Sequence, residues 1–164
     1  MKVAIYQPRY FPQLHYFNRA LSSDIFVLLD SAQHTKGLTH NVGSKRERNK
    51  SYQSDTVIKF PTGVYFLTVP IKHNGLLPID KTIIDYSTDW ARIHKATISS
   101  AYGKSPELSS VFPQIEKLLT YKYKSLAELN VKSFLWGISF FLGLKLDAQE
   151  INLDIINAHL QKSP

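Results

Sequence analysis

The chain contains no cysteine among its 164 residues. Disulfides, thiolate zinc sites and a thiol nucleophile are therefore excluded, and a reducing compartment is the natural setting. No apolar run reaches the roughly 18 residues that a membrane-spanning helix requires. The short apolar run behind Met1-Lys2 stops at Gln7, too soon for a secretory signal, so the expected location is cytoplasmic. Familiar signatures are missing as well: no GxxxxGK[ST], no GxGxxG behind the first strand, no HExxH and no GxSxG. The histidines at 15, 34, 40, 73, 94 and 159 never take the spacing of a ligand pair on one element, so neither a metal site nor a cofactor is expected.

Acidic residues are also short, 13 against 20 Lys and Arg, for a net charge of +7. The excess is concentrated. Lys36, Lys45, Arg46, Arg48 and Lys50 face Glu47 alone, in a stretch with Gly37, Asn41, Gly43 and Asn49 and few apolar residues. The range 37–51 reads as a flexible basic loop, either simply solvated or closing over phosphates. Nucleic acid is not the expected partner, because aromatic residues are not interleaved with the charges.

What is present is an ordinary globular composition, 43% hydrophobic and 20% charged, of a length that suits one domain over 1–164. Lys2 to Tyr6 is a β-forming run closed by Gln7-Pro8, since proline has no N–H for a ladder. Leu14, Phe17, Ala20 and Leu21 follow at helical spacing, and Ile25 to Leu29 is a second strand. Strand, turn, helix, strand outlines a βαβ unit. Asp55–Phe60 and Tyr65–Ile71 flank a Pro61-Thr62-Gly63 turn, and 81–86 offers a further strand.

Helices fill the second half. One is capped near Ser87 or Thr88 and carries Trp90, His94, Ile98 and Tyr102 on one face; another begins at Ser105-Pro106 and bends at Pro113. A third opens with the Ser125/Glu128 capping box and is apolar around most of its circumference to Leu142, which makes it central. Leu144–Leu146 and Glu150–Gln161 read as a short strand and a last amphipathic helix. The expected fold class is α/β, an N-terminal βαβ-type, Rossmann-like mixed sheet with the C-terminal helices packed against it.

In such units ligands lie beyond the carboxyl ends of the strands. Gln7 stands there after the first strand, and Asp30, Gln33, His34 and Lys36 after the second. Asp30 is read as a general base or ammonium partner, or as a turn cap; His34 as a proton carrier near neutral pH; Lys36 as an anion holder, with mere exposure the alternative for both. Tyr10 and Tyr16 form an aromatic wall for a substrate or pack the core. Trp90 and His94, one turn apart, are substrate contacts or buried packing.

The segments QPRYFPQLHYF, FVLLDSAQHTK, YFLTVPIK, DWARIHKATISSAYGKSP and LAELN, in this order, resemble the WbqC-like protein family over nearly the whole chain. The resemblance implies a role in bacterial polysaccharide or O-antigen biosynthesis, with acyl or aminoacyl (glycyl) transfer to a nucleotide-linked amino sugar as the expected activity and a non-catalytic precursor-binding module as the alternative. Within that activity the residues already read from their positions take these roles: Asp30 and His34 catalytic, and Gln7, Tyr10, Tyr16, Gln33, Lys36, Trp90 and His94 as substrate contacts. Expected partners are a nucleotide sugar or carrier-bound acyl donor and, where another chain completes the site, a second copy. Family chains commonly carry an Asn/Arg-rich piece after the second strand and a Gly-rich C-terminal region, and neither is matched here. A looser echo of the nucleotidylyltransferase superfamily ends at His15-Tyr16-Phe17-Asn18, which lacks the glycine and second histidine of HxGH.

Overall fold

Pro8 ends the first strand as its missing N–H demands, and β1 is Val3–Tyr6. In the computed structural model, which describes residues 1–35, 39–42, 45–48, 51–72, 75–144 and 153–154, helix α1 (Leu14–Leu21) then crosses to β2 (Ile25–Leu28). The two strands pair in parallel, Val3 opposite Ile25 through Tyr6 opposite Leu28. Parallel neighbours need such a crossover, so the βαβ outline is realised as a two-stranded sheet.

Within the basic stretch, β3 (Thr39–Val42) and β4 (Lys45–Arg48) pair antiparallel. A second antiparallel pair joins β5 (Asp55–Phe60) to β6 (Gly63–Thr68). Gly63 takes a φ of 138°, a backbone region that only glycine enters readily, and this lets β6 begin two residues before the apolar alternation starts. The described residues therefore form a mixed α/β structure with three separate two-stranded sheets. The expected strand at 81–86 is a 3-10 turn at Ile79–Lys81 followed by a lone bridge between Ile71 and Ile84.

Three long helices complete the frame. Asp89, rather than Ser87 or Thr88, caps α2 (Trp90–Tyr102), its side chain accepting from the Arg92 N–H at 3.3 Å. Helix α3 (Leu108–Thr120) continues through Pro113. At α4 (Leu126–Phe141) the Ser125 hydroxyl accepts from Glu128 N–H at 3.2 Å while the Glu128 carboxylate accepts from Lys124 N–H at 2.7 Å.

Helix α4 is central, as its sequence requires. Its first half packs with α2, α3 and β5-β6 around Leu67, Ile79, Trp90, Leu119 and Leu126. Its second half packs with α1 and one face of β1-β2 around Tyr16, Phe17, Phe134 and Ile138. Trp136 touches both clusters. No helix among the described residues is long and apolar enough to cross a membrane. The expected strand at 144–146 and helix at 150–161 lie almost wholly outside the described residues.

Candidate functional site

Because β1 and β2 run in the same direction, the residues that follow them leave the sheet at one edge. Leu29 N–H donates to Tyr6 O at 2.8 Å, so Gln7 and Asp30 emerge side by side there. The chain after β2 is then pinned to the segment before the 3-10 turn. His34 N–H donates to Leu77 O (2.9 Å), Ile79 N–H to Ala32 O (3.0 Å) and Asp80 N–H to Asp30 O (3.1 Å).

Asp30 is exposed and opens on a cavity of about 550 Å³ between this segment and the start of α4. Its charged lining is Asp30, Asp80, Glu128 and Asp154 against Lys132. One oxygen of Asp80 meets Lys81 Nζ at 3.3 Å; the other, Oδ1, is buried with no hydrogen-bond partner among the described residues. A cavity with this balance attracts a cation, and a buried carboxylate oxygen without a donor favours one strongly. No group of three His, Asp or Glu among the described residues is arranged to hold a metal.

Gln7 faces a different set of partners. Its side-chain oxygen accepts from Gln53 Nε2 at 2.6 Å, and Gln53 Oε1 in turn accepts from Thr35 N–H at 2.6 Å. Gln53 Nε2 also reaches Gln33 O at 3.4 Å. Below them Asn130 of α4, with no exposed surface, donates through Nδ2 to Gln53 O (2.7 Å) and Pro8 O (3.1 Å). Tyr16 OH donates to Gln7 O at 2.9 Å. These amides lock the two loops that leave the sheet onto the central helix.

The aromatic and histidine candidates are interior. Tyr10 OH lies 2.9 Å from His94 Nδ1, and His94 packs against Trp90 with ring centroids 5.1 Å apart. All three are buried, as are Tyr16 and His34. Burial pushes the His94 imidazole down to about 4, although a hydrogen bond with the Thr68 backbone works in the opposite sense. With Thr68 accepting from one ring N–H, the other nitrogen accepts from Tyr10, and the neutral ring is fully used. Burial raises the Tyr10 hydroxyl well above its ordinary range, with the charge of Tyr123 adding to it, so Tyr10 stays a donor. Tyr16 is raised likewise by burial, against a smaller lowering by Arg9.

The structure thus brings Gln7, Gln33 and Thr35 together through Gln53, and sets Asp30 apart beside Asp80. Lys36 lies outside the described residues, as do the side chains of the β3-β4 hairpin. A model of the WbqC-like protein family matches residues 7–159. The chain belongs to that family. No curated protein and no solved structure shows a significant match.

The WbqC-like match spans every residue placed at the edge, including three that periodicity passes over: Gln53, Asp80 and Asn130. One signal for Asn130 was available. A carboxamide inside a helix that is apolar on nearly every side has to be bonded to something when buried. Asp55 is a further case, buried with its carboxylate accepting from Ser51 N–H at 2.7 Å and from the Thr68 hydroxyl.

Proposed function

We propose that this WbqC-like chain acts in the assembly of bacterial polysaccharide precursors as an acyl or aminoacyl transferase, with the amine of a nucleotide-linked amino sugar as acceptor. The observation that carries this reading is the acidic cavity at the carboxyl edge of β1-β2, with exposed Asp30 at its wall and beside it the Asp80 Oδ1, which has no donor among the described residues. An ammonium group matches both. Asp30 is the general base: it takes one proton from the bound ammonium, the free amine attacks the carbonyl carbon of a carrier-bound acyl donor and forms the C–N bond, and the carrier leaves with the bonding pair and the second amine proton. Asp30 suits the role better than His34, which is buried. Lys36, directly after Thr35, and Lys45, Arg46, Arg48 and Lys50 further along the same stretch supply phosphate contacts for the nucleotide part.

The reading is tested by thermal shift with UDP- and dTDP-linked sugars bearing a free amine, each beside its N-acetylated counterpart. The free amines should raise the melting temperature by several degrees and the acetylated forms should not; Asp30→Asn should remove both the shift and any transfer. Equal shifts from both forms, or full transfer by Asp30→Asn, would remove the proposed base and its acceptor. A precursor-binding module without turnover is the second reading. It is favoured by Gln7, whose side-chain oxygen is already bonded to Gln53 rather than turned to a ligand. Saturable binding without product from any donor would select it.

A further inference from the structure

A second opening lies on the other side of the loop that follows β1. The residues Phe11, Pro12, Gln13, Thr56 and Val57 form a wall shared by two cavities, a larger one of about 350 Å³ and a smaller one of about 140 Å³. The larger is floored by Ile58, Leu67, Ile98, Val111, Ile115 and Trp136 and is mainly apolar. Its size and lining are those of pockets that bury small apolar ligands. At roughly 30 Å³ for a water-sized group, it holds about ten carbon atoms.

The smaller cavity carries a charge. Arg9 lines it, with its guanidinium carbon 4.9 Å from the ring centre of Tyr52 and 5.6 Å from that of Tyr16. Two aromatic faces fix the guanidinium plane and leave its N–H groups in need of acceptors. Met1–Asp24, Lys81–Asp80 and Arg92–Asp89 are ion pairs among the described residues, and Arg9 belongs to none of these. The one carboxylate among the described residues that line the smaller cavity, Asp55, is taken up by Ser51, Ser54 and Thr68. Glu107 lines the larger cavity but not the smaller, so an anion is favoured at the Arg9 end.

The wall itself is held in an unusual conformation. Phe11 has a φ of 39°, rare for a residue with a side chain. Two hydrogen bonds keep it there: its N–H donates to Ser133 Oγ at 3.2 Å, and its carbonyl accepts from Thr56 Oγ1 at 3.0 Å. Strained backbone held from both sides is a frequent mark of a ligand wall.

From these observations we infer that the two adjoining cavities, which share five lining residues, together bind a medium-chain carboxylic acid, its alkyl tail in the apolar cavity and its carboxylate on Arg9. The inference does not depend on the role given to Asp30, which faces a different cavity.

The test is calorimetric titration of the full chain with decanoate, decanol and acetate. Decanoate should bind about tenfold more tightly than decanol, the worth of a hydrogen bond to a charged group, and acetate should not saturate. Arg9→Gln should bring decanoate down to the level of decanol while leaving decanol unchanged. Val111→Phe, which narrows the apolar cavity, should weaken both at least tenfold; Arg9→Gln, at a half-buried position, decides the matter should Val111→Phe not fold. No saturable binding of decanoate overturns the inference. So does equal binding of decanoate and decanol with no effect of Arg9→Gln, or unchanged decanoate binding by folded Val111→Phe.

Discussion

Asn130 illustrates how much one polar side chain can organise. From the middle of an apolar helix it reaches carbonyl oxygens of two loops that are 77 and 122 residues away in sequence. Leucine at this position keeps the branched outline, is larger and has no donor, so both carbonyls lose their partner out of reach of water. Asn130→Leu should cost roughly 3 kcal/mol in urea unfolding, because each orphaned buried group costs about 1–3 kcal/mol. It should also loosen Gln53 and thereby Gln7. His94 gives a second prediction at this scale. Its imidazole falls from the ordinary 6.5 to about 4 in the fold, so the unfolded chain binds the extra proton between these values. Stability supplied by the neutral ring is complete above about pH 6.5 and is lost as the pH falls toward 4, to a total of roughly 3 kcal/mol. Unfolding free energies measured from pH 7 to 4 for the wild type and His94→Gln should show a steeper decline in the wild type, and parallel curves would contradict it.

Among the elements, those whose signals are local were legible. The β1-α1-β2 unit, the capping box of α4 and the face of α2 that carries Trp90, His94 and Ile98 stand where the pattern puts them. Elements decided by tertiary contact were not. The run at 81–86 has β-forming residues, but among the described residues it finds one bridge, Ile84 to Ile71, and so does not extend into a strand. The edge position of Gln7 and Asp30 followed from the βαβ outline, whereas Gln53 joins it only through folding, from 46 residues away. Gly137 marks where α1 and α4 meet. A Cβ there would stand 2.5 Å from Phe17 Cζ, and Phe17 is itself stacked on Phe134 with centroids 5.6 Å apart. Gly137→Ala should therefore lower stability by about 1–3 kcal/mol through overpacking, despite alanine's better helix propensity. A rise in melting temperature would show that the ring moves aside without penalty.

At the scale of the whole molecule, the α/β part of the expectation holds and the Rossmann-like part is not confirmed: among the described residues β1 and β2 form a parallel pair alone. The remaining described strands form antiparallel pairs of their own. One face of the parallel pair rests on α1 and α4, while Val3, Ile5, Ile25, Val27 and Leu29 of the other are exposed. The size of the sheet was not readable from strand propensity, because which strands become neighbours depends on connections that propensity does not encode.

The position of α4 has a further consequence for how the chain comes apart. One helix furnishes a wall to both hydrophobic clusters, so neither part of the sequence owns a complete interior. Chains cut in the turn between α2 and α3, giving fragments 1–104 and 105–164, should each lack cooperative melting alone and recover native circular dichroism on mixing. A first fragment that melts cooperatively without its complement would mean that the helix is a lodger in the interior and not its keystone.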